Sequence, residues 1–353
     1  MNKIRVLFVS PFTSGGGACR NMFNIISQLD SNYIKKLIVT GDEGLPHEYY
    51  GLIETESLGK TSVTGAFWPI YKSIKRFNPK YIFTTTLNTG LVCALIVKLF
   101  GLKSHVIARC TVTPSEIYHH SLKNKLLNKA LKIGGNLINT IIAQTEYMRN
   151  DLMSYYGFNS DKVITIRNIV DFNHIQRQAE LGTAQELNPS HYNIIAVGAL
   201  YSVKGFDLLI EAVSPLIQKD NRIHLYIIGE ERYETNYKSY LQKLIESKGL
   251  ESNISLLGQR TNPFPYYKAA NLFVLSSLKE GYPNVVLEAL SLQTPVVATD
   301  VVDFKDVIFD GVNGYIVKKN SVESLKEGIK KSLTLRNESI QAPQNFDFKN
   351  IFV

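Results

Sequence analysis

The feature that most constrains this chain is a recurring short apolar run, nearly unbroken by polar residues, set between longer helical stretches. Ile4–Val9, Leu37–Thr40, Tyr81–Thr84, His105–Ala108, Thr140–Ala143 and Val163–Ile166 are such runs. A strand with one wet face alternates apolar and polar side chains. A strand that does not alternate is buried on both faces, as in a parallel sheet covered by helices. The stretches between them, Cys19–Leu29, Ala66–Phe77, Gly90–Phe100, Leu122–Ile133 and Tyr147–Tyr156, have helical length and periodicity and supply that cover.

The pattern stops at a polar segment, Gln176 to Tyr192, with Asn188-Pro189 as a turn signal. It then restarts. Strands are expected at Ile194–Val197, His224–Ile228, Ile254–Leu257, Leu272–Leu275, Val296–Ala298 and Tyr315–Val317. Helices are expected at Gly205–Gln218, Tyr237–Lys248, Pro263–Lys268, Asn284–Leu292 and Val322–Ser332. The chain therefore reads as α/β, with two doubly wound parallel-sheet domains, one over 1–175 and one over 190–353. At 353 residues each can bury a core of its own. A cleft between two such lobes is the natural place for a ligand.

Charge is divided unevenly. Residues 1–170 carry 20 basic and 10 acidic side chains, whereas residues 171–353 carry 19 and 21. A first lobe of that sign suits a polyanion or an anionic membrane surface as neighbour, and the plain alternative is solubility. Within it, Lys125, Lys129 and Lys132 recur at i, i+4 and i+7 on one helix face. That face either docks on anionic lipid or stays in water while the leucines beside it enter the core. Nucleic acid is not expected as a partner, because no recognition module is visible. Three cysteines, Cys19, Cys93 and Cys110, without a CxxC pair argue against a disulfide framework or a cysteine zinc site. The N-terminus shows no cleavage-type signal. Gly90–Leu102, the longest apolar stretch, holds Lys98 and is shorter than the ~20 residues of a spanning helix. The expected location is cytoplasmic, with peripheral contact at the inner face of the cell membrane as an option.

Three segments carry chemistry. The first strand runs into Gly15-Gly16-Gly17 and then a helix, where backbone can approach a ligand and free N–H groups attract anions. Neither the dinucleotide fingerprint nor the NTPase phosphate loop fits, since Arg20 follows Gly17 by three and no GKS or GKT occurs. In the second half, Lys204 stands where a helix begins; a cation there opposes the helix dipole unless an anionic ligand justifies it. Finally, Ser276–Leu290 places Glu280 in a loop at a strand's carboxyl end and Glu288 in the early turns of the next helix. Those carboxylates can accept hydrogen bonds from sugar hydroxyls, and the N–H groups around Gly281 to Val285 can hold phosphate oxygens. Spacing alone proves nothing, because Glu48 and Glu56 are also eight apart.

Together with Ile142–Tyr147, Ile166–Asp171, Val197–Ala212, Gly258–Pro263, Thr294–Asp300 and Asn313-Gly314, these blocks resemble a retaining glycosyltransferase of family 4, the group 1 glycosyltransferases. The resemblance runs from near residue 4 to near 330 and implies the GT-B fold, two Rossmann-like lobes facing a cleft. It implies that Glu288 binds the nucleotide ribose and Glu280 the donor sugar. The Gly281, Tyr282, Pro283 and Asn284 backbone would lie near sugar and phosphate. Lys204 would hold the departing pyrophosphate, the Gly258–Asn262 stretch with Arg260 and Asn262 would meet the base, and Gly16 and Gly17 would close over the donor. Catalysis would rest on Glu280 and Lys204, with no cofactor and no metal. The donor would be a nucleotide sugar, by preference a UDP-sugar, and the acceptor a glycan or a lipid-linked glycan of cell-surface polysaccharide.

Two departures stand out. Ala199 occupies a position where the family often has an arginine, leaving Arg260 or Arg109 as the replacement. Arg109, near where the family commonly has a histidine, is also the acceptor-side candidate; His119 and His120 read as surface residues. The family's closing helix, which returns to the first lobe, is expected to be short in a chain that reaches only Val353. A non-catalytic nucleotide-sugar-binding partner subunit and a nucleotide-sugar epimerase are the competing readings.

Overall fold

A computed structural model of the chain describes residues 3–11, 17–41, 51–116, 122–231, 234–335 and 348–352; the side chains at 17, 18, 122 and 123 lie outside that description. Two compact units emerge. One is Met1–Ile169 together with Asn345–Val353, and the other is Val170–Gln344.

The first unit is built on strands β1 Ile4–Ser10, β2 Tyr33–Val39, β3 Glu54–Ser57, β4 Tyr81–Thr84, β5 His105–Arg109, β6 Thr140–Ala143 and β7 Val163–Thr165. They pair in parallel in the order β3-β2-β1-β4-β5-β6-β7. Both faces are buried, as the unbroken apolar runs require. Leu7, Val9, Ile82 and Val106 point to one side, which carries helices α2 Phe67–Phe77, α3 Leu87–Leu99, α4 Leu122–Gly134 and α5 Glu146–Tyr156. Val6, Phe8, Phe83 and Ile107 point to the other, against α1 Gly17–Gln28. Local signals end these helices where expected. Thr145 caps α5 by accepting from the Met148 N–H at 3.0 Å, and Gly157 closes it in the left-handed region.

The chain's last described residues also lie in this unit. Phe348–Ile351 forms a single 3₁₀ turn, and the Phe348 N–H donates to Gln28 Oε1 at 2.9 Å. Phe348 and Phe352 are fully buried, and the Phe352 ring meets Tyr81 and Phe83 at 5.6 and 6.3 Å between centroids. The expected second domain, 190–353, is therefore corrected at its end: two phenylalanines fill the core under α1, and the described part of the returning segment, expected to be short, is one 3₁₀ turn. The start also moves, from 190 to Val170. Helix α6 Phe172–Glu180, capped by Asp171 accepting from the His174 N–H at 2.9 Å, packs in the second unit.

Strand β3 is the other element absent from the sequence reading. Its residues Glu54-Thr55-Glu56-Ser57 are all polar because it is an edge strand, paired among the described residues only with β2. Charge holds it there. Lys36 of β2 reaches Glu54 at 2.8 Å and Glu56 at 3.0 Å, while Arg76 and Ser73 of α2 reach Glu56 at 2.6 and 2.9 Å.

The second unit contains β8 Tyr192–Val197, β9 Ile223–Ile228, β10 Ile254–Gly258, β11 Leu272–Leu275, β12 Val296–Thr299 and β13 Gly314–Val317, parallel throughout in the order β10-β9-β8-β11-β12-β13. Helices α7 Phe206–Ile217, α8 Tyr237–Ser247, α9 Phe264–Ala269, α10 Asn284–Ser291 and α11 Val322–Ser332 complete it. Strand order reverses between β8 and β11, so the loops after these two strands leave in opposite directions. Ligands of open parallel sheets bind at such a point.

Two predictions follow from the first unit. Phe352→Ala should destabilise it by about 3–5 kcal/mol, the usual result of emptying a buried phenylalanine site, while leaving the second unit's urea transition in place. An unchanged first transition would mean the C-terminal turn is not part of that core. The second concerns acid. Burial pushes the Glu56 carboxyl up, but hydrogen bonds from Lys36, Ser73 and Arg76 outweigh it and hold Glu56 below its ordinary 4.5. A depressed carboxylate contributes stability that is present above pH 4.5 and lost as pH falls through the lower folded value. Glu56→Gln should therefore cost about 1–2 kcal/mol at neutral pH and flatten the acid side of the stability curve. A parallel downward shift at every pH would refute the charge argument.

Candidate active site

The switch point of the second unit collects the expected catalytic pair. After β8 the chain passes Gly198, makes a 3₁₀ turn over Ser202–Lys204, and enters α7 through Gly205. After β11 it runs from Ser276 to Pro283 before α10 begins. Because β8 and β11 are paired, these loops lie side by side and bond to each other. The Leu278 N–H donates to the Val203 carbonyl at 2.8 Å, and Ser276 Oγ donates to the Lys204 carbonyl at 2.8 Å. Gly205 has φ +60, and a Cβ there would stand 2.4 Å from the Ser276 carbonyl oxygen. Only glycine meets both conditions.

This contact brings Lys204 and Glu280 together. Lys204 Nζ lies 2.6 Å from Glu280 Oε1, and Ser277 Oγ donates to the same oxygen at 2.7 Å. Both side chains are largely buried. The lysine stem passes over Gly198, where a Cβ would sit 3.4 Å from Lys204 Cε. A short, partly dry ion pair of this kind gives each charge a fixed direction. Glu288, on the second turn of α10, is 1% exposed, and Tyr267 of α9 donates to Glu288 Oε2 at 3.3 Å. Asn284 is buried at the start of α10, Pro283 occupies its N-cap, and Tyr282 is buried with its ring 6.2 Å from Phe304. Gly281 is half-buried in the same loop.

The remaining candidates fall elsewhere. Arg260 lies between Glu186 at 2.6 Å and the Tyr266 hydroxyl at 2.8 Å, and Tyr266 donates to the other Glu186 oxygen at 2.8 Å. Its positive charge is thus met by a carboxylate in the same unit. Asn262 donates to the Gln178 carbonyl at 2.7 Å and accepts from the Phe264 N–H at 3.2 Å, so it joins α6 to α9. Gly17 is the first residue of α1, whereas Gly16, like His119 and His120, lies outside the described residues.

Arg109 is at the carboxyl end of β5 in the first unit, but it points inward. It is 2% exposed, and its guanidinium donates to the side-chain oxygens of Asn21 and Asn168. Asn21 and Asn24 in turn donate to the Ile169 carbonyl, at 3.3 and 2.8 Å. Burial pushes the guanidinium down to about 9, which leaves it charged at neutral pH. Arg109 therefore ties β5 to α1 and to the Asn168-Ile169 segment. The thiols of Cys93 and Cys110 are buried and pushed up to about 12 for that reason, which makes them unreactive.

Sequence reasoning gave no role to Ser277 and Tyr267, which orient the two carboxylates. Ser277 was visible as part of the polar step after an apolar strand. Tyr267 was not, because a tyrosine within an apolar helix reads as core.

Comparison with known proteins bears on the chain's family and fold. Residues 15–174 match the family described as Glycosyltransferase Family 4, and residues 180–346 match Glycosyl transferases group 1. An uncharacterized glycosyltransferase of Methanocaldococcus jannaschii is 28% identical over 308 residues, covering 80% of this chain and 73% of the relative. The N-acetylgalactosamine-N,N'-diacetylbacillosaminyl-diphospho-undecaprenol 4-alpha-N-acetylgalactosaminyltransferase of Campylobacter jejuni is 28% identical over 268 residues, 74% of this chain and 70% of that enzyme. Among solved structures, Anabaena HepE in complex with UDP superposes with a TM-score of 0.76 at 18% identity, covering 94% of this chain and 90% of that one. At that identity the likeness concerns the fold. With both halves matched in tandem and both sheets in place, the chain belongs to the group 1 glycosyltransferases, which have the GT-B fold.

Proposed function

We propose that the protein is a retaining glycosyltransferase that moves a sugar from a UDP-sugar to a glycan or lipid-linked acceptor in cell-surface polysaccharide synthesis. The observation that carries the reading is the Lys204–Glu280 ion pair at the switch point, on the loop that leads directly to buried Glu288. The pair explains itself if its partners exchange when the donor arrives. The pyrophosphate supplies Lys204 with a stronger anion, and Glu280 is released to accept hydrogen bonds from sugar hydroxyls. Glu288, already desolvated, accepts from the ribose. Charge then builds on the pyrophosphate as the bond to the anomeric carbon breaks, and a fixed ammonium stabilises it there. Glu280 is held by Lys204 and Ser277, which suits an acceptor of hydrogen bonds better than a covalent nucleophile. Departure and attack on one face of the sugar, with the acceptor proton passing to the leaving phosphate oxygen, give net retention without a metal. The Campylobacter relative is named for an α-linked product on a diphospho-undecaprenol glycan, and another, from Staphylococcus aureus, for capsular polysaccharide biosynthesis; both support the acceptor class.

Ala199 favours the non-catalytic binder as the second reading, and turnover separates the two. With a UDP-sugar panel, the true donor at 100 times its dissociation constant should stabilise the protein by ~2.7 kcal/mol. The anomeric configuration of the first product, read by NMR, should match the donor's. Glu288→Ala should weaken UDP binding by about tenfold or more, the range for hydrogen bonds to charged groups. Lys204→Ala should lower kcat by about 10² or more. Glu280→Ala should leave UDP affinity intact or tighter, because Lys204 loses its competing carboxylate, and still impair transfer. Equal loss of UDP affinity in Glu280→Ala and Glu288→Ala would refute the division of roles. Inversion at the anomeric carbon would refute retention, and loss of transfer on adding a chelator would refute the metal-free route.

A further inference from the structure

Helices α2 and α3 present an aromatic patch to solvent on the first unit. Trp68 is 60% exposed and Leu99 is 67% exposed, with Phe100 beside them. The rings form one cluster: Trp68 lies 5.8 Å from Phe100 and 6.0 Å from Tyr71, and Tyr71 lies 4.0 Å from Phe100. An exposed cluster of this kind on one face marks an interaction site. Its surroundings identify the partner. Lys72 and Lys75 of α2, and Lys98 and Lys103 at the end of α3 and beyond it, are exposed, and Lys75 Nζ stands 5.9 Å above the Tyr71 ring. Among the described residues none of the four has a carboxylate partner, and residues 57–115 contain no Asp or Glu at all. Protein interfaces favour aromatics but are depleted in lysine. Tryptophan and tyrosine ringed by lysine are what a bilayer interface selects, with rings at headgroup level and ammonium groups on anionic lipid.

We infer that this α2–α3 patch is a docking surface for an anionic lipid bilayer, with Trp68 inserted at the headgroup boundary. The docking does not depend on the proposed transfer reaction, so it is tested without donor or acceptor. No helix of the described residues is long and apolar enough to cross a membrane, so docking is interfacial.

Trp68 is the chain's single tryptophan and reports its own environment. The full-length protein is mixed at low salt with phosphatidylcholine vesicles containing about 30% phosphatidylglycerol. Cosedimentation, a blue shift of tryptophan emission, and quenching by brominated phospholipid are expected, all falling with salt. Each lysine near such a surface is worth about fivefold in partitioning, so changing Lys72, Lys75, Lys98 and Lys103 to glutamine should weaken binding by more than about 100-fold. Trp68→Ser, at an exposed position, should weaken it by about tenfold without altering thermal stability. The inference is overturned by any of three results: no binding to these vesicles, bound protein whose tryptophan emission is unshifted and unquenched, or a self-associated state that buries the patch and excludes vesicles. Docking through Lys125, Lys129 and Lys132 of α4 would give the second result.

Discussion

The parallel pairing of β8 with β11 is the contact on which the candidate site depends. It is a short ladder in the middle of a six-stranded sheet, and it sits where the strand order changes direction. At the carboxyl ends of these strands the chain is released into two loops that have no other strand to follow. Gly205 lets the loops approach until backbone meets backbone, and the bonds from Leu278 to Val203 and from Ser276 to Lys204 lock the approach. A β-carbon at Gly205 would force the loops apart and part Lys204 from Glu280. The chemistry of the site thus rests on a sheet contact several residues away from it.

The two units handle buried charge in opposite ways. In the second, Lys204 and Glu280 neutralise each other, so each charge is largely desolvated and held in a fixed direction. In the first, Arg109 is buried against amide oxygens, which accept from its two terminal guanidinium nitrogens without cancelling its charge, while its Nε has no hydrogen-bond partner among the described residues. Removing Arg109 would take away the donor that the buried side-chain oxygens of Asn21 and Asn168 share. The arrangement orders the segment that leads out of the first unit, since Asn21 and Asn24 converge on the Ile169 carbonyl.

What could be read in the sequence followed from local causes. Runs such as Leu272–Leu275 and Thr140–Ala143 show their strand and its burial because side chains on both faces must be apolar. Edge strand β3 was not legible, since one face meets solvent and its hold on Lys36 is electrostatic. Nor was α6, a mostly polar helix announced only by its Asp171 cap. Lys204 and Glu280 could be picked out singly by their positions next to strands and helices. Their pairing across 76 residues could not, because it depends on which strands are neighbours. Arg109 shows the same limit from the other side. Its place near where the family commonly has a histidine suggested a ligand contact, and only the packed structure shows that Asn21 and Asn168 already occupy it.

The first unit's surplus of positive charge becomes intelligible when its members are placed. Arg109 faces inward and cannot act on anything outside. Lys36 and Arg76 are neutralised by Glu54 and Glu56 along the edge strand. The lysines of α2 and α3 are different, because the acid-free stretch from 57 to 115 gives them nothing nearby in sequence to pair with. Solubility alone does not call for this. Helix α11 of the second unit is also lysine-rich, yet its surface interleaves Glu323 with Lys326 and Glu327 with Lys330, and its field largely cancels within one turn. An uncancelled field on α2 and α3 extends outward for about a Debye length and attracts anions most strongly where the medium is poor in water. Aromatic rings at the same place exclude water, and the bilayer docking proposed above rests on that combination. Composition, helix surface and field therefore point in one direction, away from the sheet and toward a surface outside the protein.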